Sequence, residues 1–320
     1  MAVDSGGGDA LAKLKSARVA FQGERGAFSE AAAVQLLGES ITTVPRATFD
    51  SAFAAISDGD ADALLAPVEN TLAGSVVRVY DLLLESSLSM VAETILRVEH
   101  QLIGCPGATL GDLRSVSSHP VALAQCETFF LTHPNLKRVA TEDTAGSVRE
   151  VIARGDKSFA GIASRRAATI YGAVILAENI HDNPENFTRF VLLVPAQTED
   201  SDRGQNTLLS SGLSDLLAEL SMRQGQYDSD AIEQRLKVSI ALRLAHKPGA
   251  LLAALEPFAR HGVNLQKIES RPIHGRPFEY QFFLDVEAAS PAELDAALGE
   301  ARKATSVLRV LGLYPSAARV

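Results

Sequence analysis

From Arg18 onward the chain repeats one unit: a short apolar run, a small polar turn, then a stretch with helical spacing. The apolar runs are VAFQ, ALLAPVEN, SVSSHP, RVATEDT and FAGIAS. The helical stretches that follow them are SEAAAVQLL, VVRVYDLLLE, VALAQCETFF, AGSVREVIA and RRAATIYG. Strands that alternate with helices imply a parallel sheet and an α/β fold, with ligands held outside the carboxyl ends of the strands. Ser29, Thr71 or Ser75, Ser118, Thr144 and Ser164 each stand near the start of a helix, where Ser and Thr serve as N-caps. Read singly, each only caps a helix. Read together, several helix N-termini around one crevice expose free N–H groups and positive partial charge, which suits an anion.

The pattern breaks at residues 196–235, which are polar and turn-rich with one short amphipathic patch, and are expected to form a partly helical linker. It then restarts in another form. KVSIALRLA alternates Val238, Ile240, Leu242 and Leu244 on one face, as a half-buried strand does. GALLAALEPFARHG reads as a helix that Gly262 stops, with Pro257 inside it at the cost of a hydrogen bond and a bend. VNLQKIES and EYQFFLDVEA read as strands. SPAELDAALGEARKA carries Ser290 as N-cap, Pro291 at the first helical position and Glu293 to complete a capping box, and VLRVLGLYP closes as a strand. The order βαββαβ is that of a ferredoxin-like unit.

Bulk properties narrow the function. A chain of 320 residues has room for two or three domains. Its net charge of −9 argues against a general nucleic-acid binder but leaves room for a small anion held by local cations and helix ends. Two cysteines without a CxxC spacing fit a reducing compartment, so a cytoplasmic protein is expected. No apolar run approaches the ~20 residues that span a bilayer, so no membrane partner is expected. Residues 1–17 have no signal-peptide apolar region and read as a loose arm. Gly23 and Gly26 only partly imitate a dinucleotide-binding turn, and there is no Walker A motif, no HExxH and no Cys/His metal spacing. No metal and no cofactor are therefore expected.

FQGERGAFSEAAA, PVENTLAGSVVRVYDLLLE, SSHPVALAQC, GIASRRAATIYGAVILAENIHDNPENFTRF, HKPGALLAAL and KIESRP follow one another in an order that resembles the prephenate dehydratases and the related arogenate dehydratases. The resemblance implies an α/β catalytic region over 18–195. That region would be two-lobed and periplasmic-binding-protein-like, one lobe being 18–95 with 187–195 and the other 96–186, with the site in the cleft. It also implies an ACT regulatory domain over 236–320 that binds phenylalanine and pairs with a second copy, giving a homodimer or homotetramer. The expected activity is the decarboxylating dehydration of prephenate to phenylpyruvate. The alternatives are the conversion of arogenate to phenylalanine and, in another class, a non-catalytic ligand-binding protein.

Aromatisation drives such a reaction, so the protein must hold carboxylates, orient a ring and help hydroxide leave. The resemblance makes Thr188 the proton donor; read without it, Thr188 is a residue at the entry of a strand. Asn70 and Thr71 are the other catalytic candidates, as donors to a carboxylate or the ring hydroxyl. Glu69 and Gly74 are expected to bind substrate, Glu69 alternatively orienting neighbours and Gly74 allowing close backbone approach. Arg189 either pairs with a substrate carboxylate or makes a structural ion pair. Phe28, Ser29 and Phe190 are expected at the site, Ala27 standing where many relatives have Thr. His119 is expected to shape a helix start ahead of Pro120, with Gln125, Thr144 and Ser164 as further substrate contacts and Cys126 as a buried apolar residue. For phenylalanine the candidates are Gly249, Ala250 and Leu251 at a helix N-terminus, with Glu269, Ser270 and Arg271 at a strand end.

Overall fold

The computed structural model describes residues 16–196, 235–273, 275 and 279–317. The expected arm and linker therefore lie almost wholly outside the described residues. The chain divides into two compact units. The first comprises Leu14–Ser86 with Thr94–Val191, and the second includes Ser87–Glu93 and Leu192 onward. The strands β5 (Leu88–Arg97) and β11 (Phe187–Pro195) contribute residues to both units.

The first unit has two lobes, each built on its own sheet. In one, the buried strand β1 (Arg18–Gln22) pairs in parallel with β2 (Thr42–Arg46) and β3 (Ala63–Asn70), and β11 lies beyond β3. Helices α1 (Phe28–Leu37) and α2 (Phe49–Ser57) are the crossovers that the βα repeat requires. A two-residue strand β4 (Gly74–Ser75) folds back on the end of β3 before α3 (Val77–Glu85).

The other lobe contains β6 (Gln101–Gly104), β7 (Ser115–Ser118), β8 (Lys137–Ala140), β9 (Phe159–Ala163) and β10 (Val174–Ala177), in the order β10-β6-β9-β7-β8. Its helices are α4 (Pro120–Ala124), α5 (Glu127–Thr132), α6 (Thr144–Arg154) and α7 (Arg165–Tyr171). β7 is parallel to β8 and β9, but β6 runs antiparallel to β9 and β10. In this lobe the all-parallel expectation fails at β6. β6 enters straight from β5 without a helical crossover, so nothing reverses the chain to bring it in parallel.

The two lobes meet at the turn before α1. Phe21 and Ala27 share a buried core with Ala163, Ala167 and Ala168. Gly26 has φ +89°, and a Cβ there would lie 2.7 Å from the Ala167 Cα, so only glycine permits this approach. Ala27 provides no side-chain cap for α1. The buried Glu30 reaches back instead, and its carboxylate accepts the Gly26 N–H at 2.5 Å and the Thr43 hydroxyl at 2.8 Å.

The second unit has the expected order: β12 (Leu236–Arg243), α8 (Ala250–Arg260), β13 (Asn264–Pro272), β14 (Tyr280–Ala288), α9 (Pro291–Ala304) and β15 (Val307–Pro315). The sheet order β13-β14-β12-β15 is ferredoxin-like. Val238, Ile240, Leu242, Leu284 and Val286 face a common core with Phe258 and Leu298 from the two helices. The capping box of Ser290 and Glu293 forms, and α8 continues through Pro257. β15 also pairs in parallel with β5 through Gly312 and Met90. A Cβ on Gly312 would lie 2.2 Å from the Met90 carbonyl oxygen. Gly312→Ala is therefore expected to cost about 1–3 kcal/mol through a forced backbone shift, seen as a lower midpoint in denaturant unfolding. Unchanged stability would mean that this pairing is dispensable.

Candidate active site

Five side chains of the first unit join into one hydrogen-bonded chain: Thr188, Asn70, Asn186, Gln125 and His100. Its direction is set by backbone. Asn70 ends β3, and the following turn aims the N–H groups of Leu72 and Ala73 at its Oδ1, at 3.0 and 2.8 Å. The Nδ2 end must then face the other way. Its two hydrogens are shared among Thr188 Oγ1 at 2.9 Å, Asn186 Oδ1 at 2.8 Å and the Phe187 carbonyl at 3.1 Å. Asn186, which is 1% exposed, donates from Nδ2 to Gln125 Oε1 at 3.1 Å. Gln125 Oε1 also lies 2.8 Å from His100 Nε2.

This arrangement leaves Thr188 in a defined state. Its Oγ1 is an acceptor for Asn70, so its own hydroxyl hydrogen is free to be donated elsewhere. The residue is 9% exposed, and a donor in so dry a place acts strongly on charge that develops beside it. Both ends of the Asn70 amide are engaged within the protein, with Thr188 among its partners. The Thr71 hydroxyl is likewise engaged, donating to the Glu185 carbonyl at 2.8 Å and accepting the Phe187 N–H at 3.0 Å. It fastens the end of β3 to the entry of β11.

The segment before Thr188 explains how Gln125 is held. Asp182 accepts the N–H groups of Glu127 and Thr128 at 2.7 and 2.9 Å and so caps α5, whose own N-cap Cys126 has no side-chain bond. The Asp182 N–H donates to the Gln125 carbonyl at 2.8 Å. Cys126 is fully buried, and burial pushes its thiol up to about 12, so it is inert packing, as its sequence context suggested.

The remaining candidates separate. The Phe28 ring meets His100 edge-on, with centroids 5.6 Å apart. Arg189 lies 3.7 Å from Glu69, an ion pair within the protein. Phe190 is buried in the core. His119 shapes the start of α4, its Nδ1 accepting the Val121 N–H at 3.2 Å. Of the proposed Ser and Thr caps, Ser164 is one: it accepts the Ala167 N–H at 3.1 Å and donates to the Gly26 carbonyl at 2.6 Å. Thr144 is the first residue of α6, and Asp143 is its cap. The Ser118 hydroxyl goes to the Ile162 carbonyl at 2.7 Å, and Ser29 is buried inside the first turn of α1. Gly74 has φ +82°, as the turn between β3 and β4 requires, with nothing within 4 Å of a Cβ position. Among the described residues no hydrogen bond ties Ser29, Gly74, His119, Thr144 or Ser164 to the Thr188 chain.

His100 and Asn186 are the residues that sequence reasoning missed. Asn186 stands two residues before Thr188, and that adjacency was a usable signal. His100 lies in VEHQLIG, where nothing distinguishes it. It is 2% exposed, and burial pushes its pKa down to about 4, with the Gln125 hydrogen bond opposing and His181 adding to the shift. The sign follows from proton uptake. Unfolded histidine titrates near 6.5, so between about 6.5 and 4 the unfolded chain binds the extra proton. The contribution is complete above pH 6.5 and is lost as pH falls towards 4, by roughly 3 kcal/mol. Melting temperatures from pH 7 to pH 4 should show this acid-side loss, and His100→Phe should flatten it. An unchanged profile in that variant would remove His100 as its source.

Comparisons with known proteins identify the family. The prephenate dehydratase model matches residues 19–198, more than half of the chain. The chain belongs to the prephenate dehydratase family. It is a dehydratase, a lyase, and an ACT domain model matches residues 238–302. "Arogenate dehydratase/prephenate dehydratase 2, chloroplastic" of Arabidopsis thaliana is 39% identical over 93% of this chain and 72% of that protein. A solved prephenate dehydratase of Arthrobacter aurescens, described as a complex with L-Phe, is 28% identical with a TM-score of 0.76, covering 94% of this chain and 90% of that one. A structure described as GqqA, a novel type of quorum quenching acylases, is 34% identical with the same TM-score of 0.76, covering 93% and 98%.

In the ACT domain of this prephenate dehydratase family member, the candidate effector residues divide between the two faces of the sheet. Gly249 has φ +78° and opens α8 with no side-chain cap, which leaves first-turn N–H groups to be met by something else. Ser270 opposes Phe282 and shares the helix-covered face with Ile268. Glu269 and Arg271 oppose Phe283 and Gln281 on the other face. The six residues therefore do not converge within one chain.

Proposed function

We propose that this protein converts prephenate to phenylpyruvate, carbon dioxide and water, on the way to phenylalanine. The observation that carries this reading is the Thr188 hydroxyl, fixed as an acceptor by Asn70 and so left with a hydrogen to donate. As the ring carboxylate leaves as carbon dioxide, its bonding electrons enter the ring and the carbon–oxygen bond to the ring hydroxyl breaks. Thr188 donates to that departing oxygen, and solvent restores its proton. The residues around it supply position rather than acidity.

Two other readings are weaker on the same geometry. An acyl-transfer role, suggested by the GqqA likeness, would call for a base beside the nucleophile. Among the described residues the hydrogen-bond partner of Thr188 is an amide donor, not a histidine or carboxylate. Arogenate differs from prephenate by an ammonium in place of a keto group, and the matching plant enzyme carries both names. Purified protein given each acid is expected to release phenylpyruvate from prephenate at the higher rate. A higher rate on arogenate would reassign the substrate. Consumption of neither acid beyond its spontaneous decay would end the dehydratase reading.

Phenylalanine is proposed as the effector, supported by the ACT match and by the L-Phe complex of the Arthrobacter relative. A homodimer or homotetramer in the cytoplasm completes the proposal. Pairing with a second copy is what the resemblance to ACT domains implies. Light scattering with and without phenylalanine tests both, and a monomer in both conditions would reject the assembly.

A further inference from the structure

His100 is a buried histidine to which the resemblance assigns no role. Its Nε2 lies 2.8 Å from Gln125 Oε1, and its Nδ1 is buried with no hydrogen-bond partner. The polarity of the chain explains this asymmetry. Two backbone N–H groups fix Asn70. Asn70 then fixes Asn186, and Asn186 presents its NH2 to Gln125. The end of Gln125 that receives this donor is its oxygen, so His100 must also donate, through Nε2–H, and its Nδ1 is left as a bare acceptor. A carboxamide held at its oxygen by two donors turns its NH2 group away from both. Among the described residues that NH2 group has no protein acceptor, and Gln125 is half-buried rather than sealed in the core.

We propose that His100 is a positioning residue for the dehydration: together with Asn186 it locks the Gln125 carboxamide by its oxygen, so that the Gln125 NH2 group is presented to a substrate oxygen. A glutamine without this lock can flip and present its oxygen to an anion, which repels it. His100 touches no reacting atom in this scheme. It acts through Gln125, and at the far end of the same chain Asn70 sets Thr188. The inference rests on the dehydratase reading and adds a residue to it.

The test is a double-mutant cycle on the intact protein with prephenate and arogenate. His100→Phe keeps the ring and removes the donor. It is expected to lower kcat/KM about tenfold, mostly through KM, as fits the loss of one ligand-orienting hydrogen bond. His100→Gln, which keeps an N–H donor, is expected to recover most of that loss. Gln125→Met is expected to lose at least as much as His100→Phe. In the Gln125→Met background, His100→Phe should add less than about twofold, because its effect passes through Gln125. A merely structural histidine would give losses that multiply, with no rescue by glutamine. Multiplying losses, or wild-type kinetics in His100→Phe, overturn the inference while leaving the dehydratase reading intact. If the unmodified chain turns over neither acid, both fall. Should His100→Phe not fold, His100→Met, which also lacks a donor, replaces it in the cycle.

Discussion

Thr188→Val is expected to lower turnover by two orders of magnitude or more while leaving the fold in place. Valine keeps the branched shape of threonine on β11 and removes only the hydroxyl. A positioned proton donor contributes typically 10²–10⁴-fold, and one placed where hydroxide departs from a dry site belongs in that range. The stability cost should be small. Asn70 Nδ2 loses one acceptor but keeps Asn186 Oδ1 at 2.8 Å and the Phe187 carbonyl at 3.1 Å, so no buried donor is stranded. Steady-state rates on prephenate and arogenate, beside a circular-dichroism melt, separate the two effects. Turnover within a few-fold of wild type would take Thr188 out of the chemistry.

Lys237→Met is expected to be strongly destabilising. Lys237 donates to Glu93 Oε1 at 2.6 Å, and the two side chains are 11% and 0% exposed. The same carboxylate oxygen accepts the Ala317 N–H at 2.8 Å. Removing the lysine takes a positive charge away from a carboxylate whose side chain is 0% exposed. Breaking a buried pair from one side costs about 3–5 kcal/mol, because desolvation of the remaining ion is no longer offset. A fall in melting temperature on the order of 10 °C should follow. Lys237→Met with Glu93→Leu should recover part of that loss, since the buried carboxylate goes together with its lost cation. If the single variant melts with the wild type, the pair contributes nothing and the burial argument is wrong.

Much of the fold was legible along the chain, for a local reason. Alternation in KVSIALRLA, the capping box of Ser290 and Glu293, and the βα repeat from Arg18 are patterns of neighbouring residues, and the elements they specify formed. The antiparallel β6 was not legible, because strand direction depends on where the chain enters a sheet and not on the strand's own four residues. Helix caps were read too generously. Ser and Thr near a helix start are common, whereas Glu30 and Asp182 do capping work from outside the cap position.

The candidate site divides in the same way. Residue identity alone marked Thr188, Asn70 and Gln125, because a resemblance is carried by residues in order. It could not say which of them meets a ligand. That depends on hydrogen bonds between residues more than one hundred positions apart, such as Asn70 to Thr188. The sequence by itself determined the fold class, the family and the small set of polar side chains from which a site can be made, since these rest on local pattern and on matched motifs. Only the tertiary structure decided that Asn70 and Thr71 look inward, that Thr188 keeps a hydrogen to give, and that a histidine with no signal of its own closes the chain. Hydrogen-bond polarity propagates through space from fixed backbone groups, and the order of residues does not encode its direction.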